Sequence, residues 1–214
     1  MNSMKYILTL TILALTGISA FAQTDEKAKT ILDKTVANIK SYPAVEVVFD
    51  LSMINKEENI KETHHGKAYM KDKMYRIDVM DVINYFDGEV IYTYMPEQEE
   101  VNIKSPDENE DEMLNPSILF DIHNQKFTQK LIEDKDGQAY IELTPKKEHK
   151  QISKIGVWIN TKTNMVEKVT SFGKDGNDVI ITIKSLKKPE MELDVKFFRF
   201  DKEAHPEVDV IDLR

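Results

Sequence analysis

Ten consecutive residues, Asp87-Gly88-Glu89-Val90-Ile91-Tyr92-Thr93-Tyr94-Met95-Pro96, limit the architecture of this chain more than any other stretch. Asp-Gly is a turn signal, and the closing proline cannot donate to a sheet ladder. Between them, alternation puts Val90, Tyr92 and Tyr94 on one side of a strand and Ile91, Thr93 and Met95 on the other. An antiparallel strand with one wet face alternates apolar with polar residues. This strand is apolar or aromatic on both sides, so each face needs an apolar cover, whether core or ligand.

The flanking sequence supplies more of the same material. From Ala44 the apolar period is two, with Val45, Val47, Phe49, Leu51 and Met53 on one face. A turn region at Asn55 to Asn59 precedes strands at Gly66 to Met70 and Tyr75 to Met80, joined by Lys71-Asp72-Lys73. Val101-Asn102-Ile103 follows the turn at Pro96–Glu97. About five short strands separated by turns read as a meander. The last third is again β: Tyr140 to Leu143, Ile155 to Asn160, Val166 to Phe172, Val179 to Lys184, Phe197 to Phe200 and Val208 to Ile211.

Two segments have a helical period. Thr24 is the expected N-cap of a first helix, with Asp25 and Glu26 facing its dipole. Ala28, Ile31, Leu32, Thr35, Val36 and Ile39 form its apolar stripe, and Ser41-Tyr42-Pro43 stops it. The second helix opens at Asn115-Pro116, after the acidic run Ser105 to Glu112. Met113, Leu114, Ile118, Leu119, Phe120 and Ile122 place apolar groups almost all round it, where a surface helix shows one stripe. This short helix must be covered on most sides.

At the N-terminus, Lys5, the apolar run Tyr6 to Ile18 and Ala20-Phe21-Ala22 have the form of a cleavable leader, with the mature chain starting at Gln23. Residues 23–214 then read as one domain. The sequence has no cysteine, which excludes both disulfides and a lipidated N-terminal cysteine, so stability rests on burial. The expected compartment is extracytoplasmic, with no lipid anchor. A net charge of −9 argues against nucleic acid and against an electrostatic grip on anionic lipid.

Catalytic patterns are missing from the sequence. His64-His65 are adjacent, so in an extended strand they point to opposite faces and cannot share a metal. The run from Asp107 has Glu112 where a calcium loop needs glycine and Ile118 where it needs a bidentate glutamate. There is neither a Gly-rich phosphate loop nor a Gly-x-Ser-x-Gly elbow. No enzyme, metal or cofactor is expected.

The order of motifs is informative. Gly66-Lys67-Ala68-Tyr69, Lys71 with Met74-Tyr75-Arg76-Ile77, Asp87-Gly88 with Tyr92 to Pro96, and the Asn115–Phe120 helix follow one another. Leu143-Thr144-Pro145-Lys146, Ile155-Gly156-Val157-Trp158-Ile159, Phe198, Phe200 and Val208 to Ile211 complete the series. Together they resemble the periplasmic outer-membrane lipoprotein carrier (LolA) family over essentially the whole chain from Gln23. That resemblance implies a mainly β fold with a few helices: a half-open antiparallel β-barrel, an N-terminal helix and a short helical lid over an apolar cavity. It implies a monomeric periplasmic chaperone without cofactor, which carries acylated lipoproteins or lipids from an inner-membrane lipoprotein-releasing transporter to an outer-membrane acceptor. The alternative is a non-catalytic lipid- or glycolipid-binding or envelope-sensor protein on the same scaffold. Candidate cavity residues are Phe49, Leu51, Tyr69, Tyr75, Ile77, Ile91, Tyr92 and Tyr94, with Tyr92 and Tyr94 at wall or rim because tyrosine keeps one wet end. Met113, Leu114, Ile118, Leu119, Phe120 and Ile122 are the candidate lid. One departure stands out: where well-studied family members have a latch arginine directly after the strand lysine, this chain has Asp72.

Overall fold

The computed structural model describes residues 19–55, 57–106 and 126–214, with side chains from Glu26 onward. The lid candidates Met113, Leu114, Ile118, Leu119, Phe120 and Ile122 lie outside the described residues, as does the acidic run from Asp107.

Helix α1 spans Ser19–Lys40. Among the described residues twelve strands follow: β1 (Val45–Asn55), β2 (Ile60–Lys71), β3 (Met74–Val79), β4 (Val82–Phe86), β5 (Ile91–Met95) and β6 (Glu100–Lys104), then β7 (Phe127–Lys135), β8 (Gln138–Pro145), β9 (Ile152–Asn160), β10 (Met165–Gly173), β11 (Asn177–Lys187) and β12 (Asp209–Asp212). All belong to one sheet, ordered β12-β6-β5-β4-β3-β2-β1-β11-β10-β9-β8-β7. Two meanders, β1–β6 and β7–β11, are thus sewn together by the antiparallel pair β1–β11, in which Phe49 faces Ile183 and Leu51 faces Ile181. The two outer strands, β12 and β7, do not pair with each other, so the sheet is open rather than a closed barrel.

Register defines two faces. The inner face carries Phe49 and Leu51 of β1, Ile181 and Ile183 of β11, Val169 of β10, Val157 of β9 and Ile141 of β8. On this face α1 packs against β7 and β10, burying Ala28, Leu32 and Ile39 among Ile141, Leu143, Ile155, Val157, Ile159 and Val169. Fully burying one such aliphatic side chain is worth about 1.5–3 kcal/mol. The helix is also tied down at two points. Lys27 pairs with Asp134 of β7 at 2.6 Å, and the Asn38 amide donates to the carbonyls of Thr163 and Asn164 in the β9–β10 turn.

The opposite, outer face of β3–β6 is covered by the C-terminal segment. Lys71 donates to the Leu193 carbonyl at 2.6 Å, a 3-10 turn at Val195–Phe198 sits on β3, and Phe200 and Val208 pack on Tyr85, Tyr94 and Val101. The chain then joins the sheet as β12, paired parallel to β6.

Several expectations need correction. Thr24 lies inside α1 rather than at its N-cap, since the helix is already formed at Ser19, the first described residue. Phe197 to Phe200 is not a strand; the Asp194 carboxylate accepts from the Phe197 N–H and closes a 3-10 turn instead. Within the otherwise antiparallel-rich sheet, β12 pairs parallel to β6. Strands β4 and β7 are additions to the expected set. β7 is a sheet edge rich in Lys, Glu and Asp with a bulge between Leu131 and Glu133, which hides its alternation and protects the edge.

β4 is hard to see in the sequence because the turn before it contains neither glycine nor proline. Val79 pairs with Val82, so Met80 and Asp81 form a two-residue turn, and both have positive φ (58° and 56°). Such turns favour Asn-Gly, since left-handed backbone costs an ordinary L-residue about 1–2 kcal/mol. The double substitution Met80→Asn, Asp81→Gly is therefore expected to stabilise the protein by about 1 kcal/mol. A rise in the urea midpoint at constant m checks it.

Candidate functional site

The first half of the inner face forms a second apolar cluster. Val45, Val47, Phe49 and Leu51 of β1 lie beside Ala68 and Met70 of β2 and Tyr75, Ile77 and Val79 of β3. Tyr42, Phe86, Val179, Ile181, Ile183 and Leu186 border it. The Tyr75 and Phe86 rings meet at 5.4 Å. Gly66 is the low point of this surface. The Phe49 ring lies so close over it that a Cβ there would fall 2.4 Å from Phe49 Cζ. Where α1 covers the β7–β10 part of the inner face, its contacts do not extend across β2 and β3 to the same degree.

Of the eight cavity candidates, five share this surface: Phe49, Leu51, Tyr75, Ile77 and Ile91. The inner row of β5 is therefore Ile91, Thr93 and Met95. Tyr69, Tyr92 and Tyr94 have the other parity and occupy the outer face, where Tyr69 and Tyr94 meet the C-terminal segment. Tyr69 stands edge-on to Phe197 at 5.0 Å, and Tyr94 packs on Phe200 at 4.9 Å and His205 at 5.2 Å. Val45, Val47, Ala68, Met70 and Val79 belong to the inner surface but are not among the candidates. Their signal lies in the period-two pattern of β1 and, for Ala68 and Met70, in their position opposite it.

The outer face has its own polar centre. The Asp87 side chain is only 1% exposed, against 54% for Arg199, which donates to Asp87 Oδ2 through Nε (2.8 Å) and Nη2 (2.7 Å). Asp87 Oδ1 accepts from the N–H groups of Glu89 and Val90, and the Tyr92 hydroxyl donates to Oδ2 at 3.3 Å. Burial works against the Asp87 charge. The Val90 and Glu89 N–H groups and the Arg199 guanidinium outweigh it and hold the carboxyl below its ordinary value. The Asp-Gly turn of the opening segment thus also anchors a residue 112 positions away.

Arg76 sits between the Tyr85 and Phe197 rings, 5.1 Å from each centroid, on the outer face. Asp72, the residue after Lys71, lies in the β2–β3 turn at φ 55°, a left-handed conformation that aspartate tolerates well. His65 hydrogen-bonds Asp50 at 2.7 Å on the outer face, while His64, opposite Leu51, faces inward. Among the described residues no group of three or more His, Cys, Asp or Glu is placed to hold a metal, and no helix is long and apolar enough to cross a membrane.

The inner face thus carries two apolar clusters, one that seats α1 and one over β1–β3, and the side chains of both are buried. A family model for the outer membrane lipoprotein carrier protein LolA matches residues 81–201, more than half of the chain, and the chain belongs to that family. Among solved structures it is similar to an uncharacterized conserved protein from Thermus thermophilus, with 10% identity, 87% of this chain and 99% of the other covered, and a TM-score of 0.56. A LolA superfamily protein from Nitrosomonas europaea is 13% identical, covering 81% of this chain and 97% of its own at a TM-score of 0.46. A putative outer membrane lipoprotein-sorting protein domain from Vibrio parahaemolyticus is 11% identical, covering 81% and 97% at 0.48. No curated protein matches the sequence. At these identities the Thermus structure speaks to fold alone.

Proposed function

We propose that this protein is a periplasmic carrier that holds the acyl chains of lipoproteins against the inner face of β1–β3 and shuttles them from the inner to the outer membrane. The supporting observation is the inner-face cluster of Val45, Val47, Phe49, Leu51, Met70, Tyr75 and Ile77, buried apolar side chains that a departing lid would open to an acyl chain. Burying one CH₂ is worth about 0.8 kcal/mol, so an acyl chain of ordinary length gains enough to bind without any polar contact. No bond is made or broken in this reading, and the protein acts as a non-catalytic monomer without a cofactor. Residues 1–22 are its cleaved leader, and 23–214 form a single carrier domain. Met113, Leu114, Ile118, Leu119, Phe120 and Ile122 act as a lid that competes for the same surface, so that cargo is passed on rather than trapped. The partners are a lipoprotein-releasing transporter at the inner membrane and an acceptor at the outer membrane. With Asp72 in place of the arginine, either the lid closes through apolar contact alone or the cargo differs from that of the well-studied carriers.

Purification from the native envelope followed by mass spectrometry is the direct test, with acylated lipoprotein as the expected passenger. Free phospholipid or glycolipid alone would move the protein to the lipid-binding alternative, and an empty protein would favour the sensor. Ile77→Asn, which puts an unsatisfied amide on the acyl surface at a cost of about 1–3 kcal/mol, is expected to lower the lipid recovered by about tenfold. Unchanged recovery would place the lipid elsewhere.

A further inference from the structure

Between β3 and β12 the inner face changes character. One row stays apolar as far as β5: Met70, Tyr75, Phe86 and Ile91 stand opposite one another on β2, β3, β4 and β5. The neighbouring row runs from Ile77 into Asn84, Thr93 and Asn102 and ends at Ile211 of β12. Its three middle members are polar and uncharged, stand on adjacent strands and are half-buried. With strands about 4.8 Å apart they make a polar ladder about 10 Å long. The ladder is continuous at Ile77 with the surface proposed for the acyl chains.

Its hydrogen-bonding capacity is only partly used. The Thr93 hydroxyl donates to Asn84 Oδ1 at 2.8 Å, and the Asn102 amide donates to Glu100 Oε1 at 2.9 Å. The Asn84 amide N–H groups remain as donors, while Thr93 Oγ1 and the Asn102 side-chain carbonyl remain as acceptors. A hydroxyl uses both kinds of partner, and an ester carbonyl uses the donors. A phosphate would bring negative charge beside the Glu100 carboxylate, although Lys104, opposite Ile91 on the same face, supplies a cation at the end of the apolar row.

We propose that Asn84, Thr93 and Asn102 receive the uncharged, hydroxyl- or ester-bearing head of the amphiphile whose chains lie over β1–β3, and so select neutral acylglycerol-type heads over phosphorylated ones. This assignment rests on the acyl-carrier reading. It turns the inner face into a two-part site, in which the apolar part measures chains and the polar ladder reads the head.

The test is equilibrium binding by the purified protein of dipalmitoylglycerol, a galactosyl diacylglycerol, dipalmitoyl phosphatidic acid and the headless fluorescent probe N-phenyl-1-naphthylamine. The protein is expected to prefer dipalmitoylglycerol over phosphatidic acid by about tenfold or more, the equivalent of one or two hydrogen bonds. Tighter binding of the galactosyl lipid assigns the ladder to sugar hydroxyls, and weaker binding assigns it to glycerol. The double variant Asn84→Leu, Asn102→Leu is expected to lower the ratio of dipalmitoylglycerol to dye affinity by about tenfold, and the near-isosteric Thr93→Val by about threefold. A preference for phosphatidic acid, or a ratio unchanged in every variant, overturns the assignment. Failure of the unmodified protein to bind the dye brings down the acyl reading itself.

Discussion

Gly66→Val is expected to lower stability by about 3 kcal/mol, because the Phe49 ring occupies the space that a side chain at position 66 needs. Phe49 is buried within the β1–β3 cluster, so the ring has no open direction in which to retreat. For a chain of this length, thermal unfolding should fall by about 6–12 °C. The clash has one identifiable partner, which makes it testable as a pair. Phe49→Ala alone is expected to cost about 3–5 kcal/mol through loss of burial and the cavity left behind. In that background Gly66→Val should cost little, giving a coupling of about 2–3 kcal/mol in a double-mutant cycle. Additive losses would mean that the ring and the glycine are energetically independent, against the close approach described above.

The second large effect is on the outer face. Arg199→Ala leaves the buried Asp87 carboxylate with backbone N–H groups and the Tyr92 hydroxyl but without its cation, and about 1.5–3 kcal/mol should be lost. Because Asp87 is held below the ordinary carboxylate value, its contribution is fully present above about pH 4 and disappears as pH falls through its lowered folded value. The unmodified protein should therefore lose stability steeply on the acid side. Asp87→Asn should start less stable at neutral pH and show a shallower acid limb. Urea unfolding at a series of pH values separates the two. Identical acid limbs would show that Asp87 is not the titrating tie. Limited proteolysis should find the C-terminal segment cut faster in Arg199→Ala at neutral pH, since the guanidinium is its charged link to the β4–β5 turn.

Much of the fold is legible in pattern alone. The α1 stripe has a 3.6 period, and Ala28, Leu32, Val36 and Ile39 are all buried. The strand after Asp87-Gly88 needs an apolar cover on both sides and has one: Ile91 joins the inner rows, while Tyr94 lies under Phe200 and Val208. Alternation fixes which residues share a side, but not which side is inner. That depends on the bulge between Val48 and Phe49 and on where a segment more than a hundred residues downstream comes to rest. Local sequence carries neither fact. The same limit explains why pattern groups Tyr69, Tyr92 and Tyr94 with Phe49 and Ile77. It also hides Asn84, whose strand follows a turn of Met and Asp in a conformation usually given to Asn and Gly. Asp87 is visible locally only as a turn former, because its partner Arg199 is remote.

The β1–β11 seam has a kinetic consequence. Each meander is local, and its hairpins close short loops, but Glu46 meets Lys187 only after most of the chain has been traversed. Closing so long a loop is entropically slow, and high contact order predicts folding on the millisecond-to-second scale. Until that closure, the 11-residue strand β1 presents an unpaired edge carrying the apolar row Val45, Val47, Phe49 and Leu51. A chain emerging from its N-terminus exposes this edge throughout synthesis. The interval before β11 arrives is then the period of greatest aggregation hazard, and the stage at which a holding chaperone would matter most.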